Sequence, residues 1–202
     1  MFLFYLSPAH GSSKEMNRSY NLTLASGSPR RKELLQILVT NFQIRIPSID
    51  ETPQPKEPAL SYVERLAKEK AESLSLQDHE CLLAADTIVH VGTHLLGKPT
   101  NSAHATEMLK LLSGKTHQVS TGVCLRMVRA QILFSVTTDV TFRMISSEEI
   151  EAYVATGCPM DKAGAYAIQG GAAAFVRTIN GSYTNVVGLP LCEVSEALSN
   201  LG

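Results

Sequence analysis

The sequence has no tryptophan, and aromatic residues make up only 6% of its 202 positions. Few rings are therefore available to stack on unpaired bases, the usual equipment of a single-strand nucleic-acid binder. It also lacks an excess of charge of either sign: 18 Lys and Arg stand against 19 Asp and Glu, a net charge of −1. A diffuse electrostatic grip on nucleic acid is excluded, so any anion site must come from a local cluster of basic residues. No apolar run is long enough to span a bilayer, which excludes an integral helical membrane protein. The four cysteines (Cys81, Cys124, Cys158 and Cys192) include no C-x-x-C pair. That argues against a zinc ribbon or redox dithiol and predicts buried or half-buried free thiols in a reducing cytoplasm. The opening Met-Phe-Leu-Phe-Tyr-Leu lacks the basic start and the ~7–15 apolar residues of a signal segment. Residues 1–15 are expected to be an appendage upstream of a true start at Met16, leaving 16–202 as a single domain.

What is present suits a packed core, since 44% of residues are hydrophobic and 18% charged. Residues 22–25 read as a strand, and the turn at 26–31 leads into a helix ending near 38. A second strand is expected at 42–46, then a proline-rich loop carrying Asp50, Glu51, Pro53, Pro55 and Pro58. An amphipathic helix follows over 59–74. Residues 81–91 form a nearly continuous apolar run, the pattern of a strand buried on both faces. Further helices are predicted at 101–112 and 147–155, the latter capped by Ser146 or Ser147 with Glu148 and Glu149 in its first turn. Residues 116–127 and 131–143 alternate as an antiparallel hairpin. A glycine-rich stretch from 157 to 171 precedes a strand at 172–179, and a helix at 190–198 closes the chain. The mixture is α/β or α+β, with no linker to separate independent domains.

Four places carry residues that folding alone would not ask for. In Ser26-Gly27-Ser28-Pro29-Arg30-Arg31, Ser28 is a good N-cap and Pro29 a good first helical residue. Two arginines then occupy the positive end of the helix dipole, which favours an anion site, best a phosphate, over plain solvent-facing arginines. Lys70 shares a helical stripe with Val63, Leu66, Ala67 and Leu74, so it either snorkels to water or meets a buried anion. Asp86 stands inside Leu82-Leu83-Ala84-Ala85-Asp86-Thr87-Ile88-Val89, where an ionised carboxylate needs a metal or a cation beside it. Glu51 and Lys98 complete a set of acids and bases suited to holding Mg²⁺ on a polyphosphate. The fourth place, Asp161-Lys162-Ala163-Gly164-Ala165-Tyr166-Ala167-Ile168-Gln169-Gly170-Gly171, permits close backbone approach to a ligand but is weak evidence alone.

Several tempting patterns fail. Gly114-Lys115-Thr116 imitates the end of a P-loop, but Leu109 stands where the first glycine of the cradle belongs. His90 and His94 flank Gly92 near a turn and read as surface residues, not metal ligands. No serine occupies a G-x-S-x-G elbow.

Taken together, Leu24-Ala25-Ser26-Gly27-Ser28-Pro29-Arg30-Arg31, Ala85-Asp86-Thr87-Ile88-Val89, Gly97-Lys98-Pro99, Gly114-Lys115-Thr116-His117 and Asp161-Lys162-Ala163-Gly164-Ala165-Tyr166 resemble the Maf family of nucleoside triphosphate pyrophosphatases. The likeness runs in order from about residue 22 to 198. It implies an α/β fold related to inosine triphosphatase-like proteins, with a long mixed β-sheet, flanking helices and two lobes around a central cleft. Matched position by position, it implies phosphate binding by Ser26, Arg31, Lys70 and Lys98. Glu51 and Asp86 would hold a divalent metal cation, Mg²⁺ or Mn²⁺, with Asp86 as catalytic base. Arg30, Thr87 and Gln169 match the subgroup acting on dTTP and UTP; the subgroup preferring 7-methyl-GTP carries a tryptophan that this chain does not have. The implied partner is a small nucleoside triphosphate, with no nucleic acid or membrane, and a homodimer is one expectation for its assembly. A nucleotide-binding regulator of septum formation is the alternative, although a pure binding protein has no need of acids buried beside bases.

Overall fold

The computed structural model describes residues 20–201. The expected appendage at 1–15 and the start at Met16 lie outside them. Among the described residues no helix is long and apolar enough to cross a membrane.

The chain forms a mixed α/β structure on a seven-stranded sheet. Strand β1 (Asn21–Ala25) leads to helix α1 (Pro29–Leu38) and the short edge strand β2 (Gln43–Ile44). Helix α2 (Ala59–Glu72), the long strand β3 (Glu80–Val91), its hairpin partner β4 (His94–Leu96) and helix α3 (Ser102–Leu112) follow. Strands β5 (Thr116–Arg126) and β6 (Gln131–Phe142) make the predicted hairpin, and α4 (Ser147–Ala155) comes next. The glycine-rich stretch winds through 3-10 turns into β7 (Val176–Asn180), then α5 (Tyr183–Val187) and α6 (Leu191–Ser199). The strand order is β2-β1-β3-β5-β6-β7, with β4 attached to β3. β1 runs parallel to β2 and β3, and the other pairings are antiparallel.

Most element signals operate as read. Ser28 caps α1 by accepting from the Arg31 N–H, and Ser146 with Glu149 forms a full capping box on α4. The run at 81–91 is buried on both faces because the sheet is covered on both sides. Leu83, Ala85 and Val89 enter the main core with Leu22, Leu24, Val119 and Val123. On the other face Ala84 packs with Ala67, Ala71 and Cys124, and Ile88 with Tyr62, Val63 and Leu66 of α2.

Four expectations need correction. The strand at 42–46 shrinks to two residues, Gln43 and Ile44, which pair with Thr23 and Leu24 near the end of β1. Residues Gly171–Phe175 form a 3-10 turn, and the strand starts only at Val176. His90 is buried, since β3 continues past it and its Nε2 meets Ser120 Oγ at 3.0 Å; His94 alone is exposed. Cys81 and Cys124 are buried, but Cys158 and Cys192 are exposed on short helical segments.

The main core contains one titratable group that tests its integrity. His117 is 1% exposed, bonded through Nε2 to the Tyr166 hydroxyl at 2.8 Å and edge-on to Phe142 and Tyr166. Burial, with a smaller contribution from His90, pushes its imidazole down to about 4. The unfolded chain binds a proton near pH 6.5 that the folded chain refuses, so stability is full above that pH and falls as the pH drops towards 4. Denaturant titrations across this window should show His117→Gln removing about 1.4 kcal/mol per pH unit of the wild-type slope. An unchanged slope would place the titration elsewhere.

Candidate active site

Strand β3 is longer than its neighbours on one edge. β5 covers one side from Leu82 to His90. On the opposite edge β1 pairs with Glu80 to Ala84, and β4 pairs only with Val89, His90 and Val91. Residues 85–88 are left without a strand partner there, so Asp86 and Thr87 are presented at the floor of a gap, one towards each face. The gap opens beyond the carboxyl end of β1, where the chain turns into α1, the place where open α/β sheets accept ligands. A cleft of about 630 Å³ fills it.

On one face, α2 supplies Lys70. The helix can lie this close because Gly122, the register partner of Asp86, has no side chain. A Cβ there would come within 2.3 Å of the Val63 carbonyl oxygen. Lys70 is 7% exposed and does not snorkel: its Nζ is 2.5 Å from Asp86 Oδ1 and 2.6 Å from Glu51 Oε1. Glu51 reaches it because the proline-rich loop is fastened to α2. Tyr62 donates its hydroxyl to the Glu51 carbonyl at 2.9 Å, and Arg65 makes a two-pronged pair with Glu57 at 2.6 and 2.7 Å.

The two acids respond oppositely to this setting. Burial raises the Asp86 carboxyl above its ordinary value against the pull of Lys70 and Arg31. Burial also lifts Glu51, but the Lys70 hydrogen bond and the charges of Lys70, Lys98 and Arg31 together hold it below the usual range. A carboxylate shifted towards neutrality is the better proton acceptor, which suits Asp86 to base chemistry.

On the other face, Arg31 folds back beneath the helix start. Its Nε donates to the Gly188 carbonyl at 2.8 Å, one terminal nitrogen to Thr87 Oγ1 at 2.9 Å and the other to Ser26 Oγ at 3.4 Å. Ser26 also accepts from the Ser28 N–H at 3.2 Å. Arg30 points elsewhere, to Asp161 at 3.7 Å, and Asp161 in turn holds Lys162 at 2.5 Å. Lys98, just beyond β4, and Gln169 are exposed on the cleft wall. The cleft thus gathers every residue singled out from sequence: Ser26, Arg30, Arg31, Glu51, Lys70, Asp86, Thr87, Lys98 and Gln169. The Thr87 hydroxyl is engaged with Arg31 and Thr121.

Sequence reasoning missed Tyr62, Asp161 as the partner of Arg30, and the whole of α5 with Gly188. The signal for α5 was Ser182, whose Oγ caps the Asn185 N–H at 3.2 Å. The β-branched residues that follow it masked the helix.

Lys70 neutralises a buried acid, so its removal should cost stability in a pH-dependent way. Lys70→Met is expected to lose about 3 kcal/mol at pH 8, where Asp86 would remain charged without its partner or have to take up a proton. The loss should shrink towards pH 5, because a carboxyl raised in the folded state favours folding most when protonated. An equal loss at both pH values would mean that Lys70 contributes through packing alone.

The chain matches the family described as Maf-like protein over residues 21–201. It is 53% identical over 182 residues to a protein of Escherichia coli O157:H7 named dTTP/UTP pyrophosphatase, covering 89% of this chain and 92% of that one. A protein of the same name from Geobacter sp. (strain M21) is 48% identical over 188 residues, covering 92% and 97%. Among solved structures, a HAM1 protein from Coxiella burnetii aligns at 16% identity with a TM-score of 0.48, over 90% of this chain and 99% of that one. That likeness is too loose to bear on the argument. With a family match spanning nearly the whole described chain, and relatives about half identical along it, the chain belongs to the Maf family.

Proposed function

We propose that the chain hydrolyses nucleoside triphosphates, preferentially dTTP and UTP, to the monophosphate and pyrophosphate. The observation that carries the reading is the position of Asp86: a buried carboxylate in the strand gap, held by Lys70, with Arg31 and Glu51 close enough to act on its charge. The names of the relatives from Escherichia coli and Geobacter support the same reaction.

In this reaction a water oxygen bonds to the α-phosphorus as the bridging bond to the β-phosphate oxygen breaks. Asp86 takes the proton of the water, and pyrophosphate departs with the electron pair. Lys70 holds Oδ1 of Asp86, which leaves the other carboxylate oxygen for the proton. Arg31 and Lys98 neutralise the charge that grows on the leaving group, and Ser26 orients the phosphates. Such preorganised charges usually contribute the largest share of phosphoryl-transfer catalysis.

The donor set also fits a divalent cation delivered with the substrate. Glu51 and Asp86 offer hard oxygen donors, and among the described residues no third His, Cys, Asp or Glu joins them. Mg²⁺ typically takes one or two carboxylates and completes its octahedron with phosphate oxygens and water. Once bound with the triphosphate, the ion would add charge neutralisation at the phosphoryl oxygens. A cytoplasmic setting belongs to the same proposal, supported by four dispersed cysteines with no C-x-x-C pair among them.

Asp86→Asn should lower turnover by about 100- to 10,000-fold, the usual cost of losing a general base. The assay is separate quantification of monophosphate, pyrophosphate and orthophosphate from dTTP with and without Mg²⁺. Orthophosphate as the first product would overturn the reaction, and full activity in excess chelator would overturn the metal.

Base choice follows from Gln169, whose amide offers a donor and an acceptor together. Uracil and thymine present a carbonyl beside an N3–H, which that amide can match; cytosine presents an amine and a bare nitrogen there. A mismatch is worth ~1–3 kcal/mol when buried. UTP should therefore exceed CTP by roughly 10- to 100-fold in kcat/KM, and Gln169→Glu should erode the preference. Equal values for UTP and CTP in the unmodified protein would refute the base assignment and leave the pyrophosphatase reading standing.

A further inference from the structure

Arg31 reaches the cleft through contacts that are themselves supported from behind. Thr87 Oγ1 lies 2.9 Å from the arginine and 2.9 Å from Thr121 Oγ1, on the adjacent strand β5. Thr121 Oγ1 is 3.3 Å from the Asn185 main-chain carbonyl in α5. Thr121 and Asn185 are fully buried.

Each hydroxyl has one proton, so the direction of this chain turns on which carbonyl lies nearer, Asn185 at 3.3 Å from Thr121 or Gly188 at 3.5 Å from Thr87. The carbonyl of Asn185 can only accept, hence Thr121 donates to it. The Thr87 proton then goes to Thr121 Oγ1. Its other acceptor, the Gly188 carbonyl, is farther, at 3.5 Å; each carbonyl already receives one shorter bond, Gly188 from Arg31 Nε at 2.8 Å and Asn185 from the Gly188 N–H at 2.9 Å. With its proton turned away, Thr87 presents lone pairs to the guanidinium. The order is Arg31 N–H to Thr87, Thr87 O–H to Thr121, Thr121 O–H to Asn185.

The far end of the chain is anchored. The Asn185 amide donates to the Val119 carbonyl and to Thr138 Oγ1, each at 2.9 Å. Val119 can only accept there, so the amide nitrogen must face it. This clamps α5 onto β5 and β6, and the same short helix ends in Gly188, whose carbonyl holds Arg31 Nε. Two of the three arginine contacts therefore trace back to one segment.

We propose that Thr121 is a positioning residue for Arg31: it never meets the substrate, but it sets the hydrogen-bond polarity of Thr87 and so the aim of the guanidinium at the phosphates. The proposal rests on the reading of Arg31 as a phosphate-binding residue.

The test is a double-mutant cycle of Thr121→Val with Arg31→Lys. It is read as KM for UTP and as inhibition by inorganic pyrophosphate at fixed Mg²⁺, with melting temperatures alongside. Thr121→Val preserves shape and removes the hydroxyl. It should raise KM and weaken pyrophosphate inhibition by about tenfold, the scale of one hydrogen bond. Thr121→Ser should restore both. In the Arg31→Lys background, where the fork is gone, Thr121→Val should add under about twofold, because coupled residues are not additive. Additive losses, a failed rescue by serine, or no change in KM would each overturn the proposal. Thr121→Ala carries the same expectations should the valine variant not fold. An Arg31→Lys protein with the parent KM and pyrophosphate inhibition would refute the phosphate reading of Arg31 itself. An impaired Arg31→Lys beside an unaffected Thr121→Val would refute the positioning role alone.

Discussion

One ammonium between two carboxylates holds the cleft together. Lys70 lies 2.5 Å from Asp86 and 2.6 Å from Glu51, and so joins a helix, a central strand and a proline-rich loop at one point. A buried ion cluster of this kind is costly to assemble, because each charge leaves water before it meets its partner. The cost is offset by the apolar contacts that deliver the helix: Val63, Leu66, Ala67 and Ala71 of α2 are fully buried against the sheet. Gly122 lets that helix approach, and its pairing with Asp86 places this close helix–sheet approach directly beside the acid. Packing therefore determines the electrostatics of the site.

The gap along β3 gives the acid its access. A carboxylate in the middle of a fully paired strand would be sealed among neighbours, whereas Asp86 stands between the end of β1 and the end of β4. Alternation along the strand sends Asp86 to the face of α2 and Thr87 to the face of α5. In the proposed reaction a substrate in the gap would meet a carboxylate from one side and an arginine from the other. The arrangement separates two settings on the same strand: burial raises the Asp86 carboxyl, and hydrogen bonds fix the fork of Arg31.

Much of this was legible in the sequence because the site breaks folding rules locally. A lysine on an apolar helical stripe, an aspartate in an apolar strand and two arginines at a helix start each conflict with ordinary patterning, and all four residues line one cleft. The contacts that support them obey the rules and leave no such trace. Gly122 reads as one more glycine, Thr121 as an ordinary strand residue, and Tyr62 as a core aromatic. The helix α5 hides behind β-branched residues that favour strands in isolation. The buried state of His90 followed from the full length of β3 and its contact with Ser120 on β5, which are tertiary facts. β4 was missed for the same reason: three residues next to a turn acquire strand character only by pairing with β3. Residues in conflict with local physics could be found from the sequence, whereas those in harmony with it needed the fold.

The central claim of the proposed reaction is that water attacks the α-phosphorus. Hydrolysis of dTTP in ¹⁸O-labelled water, followed by mass spectrometry of both products after a single turnover, tests it most directly. Attack at the α-phosphorus places the label in the monophosphate and leaves the pyrophosphate unlabelled. Label in the pyrophosphate would mean attack at the β-phosphorus and would contradict the account.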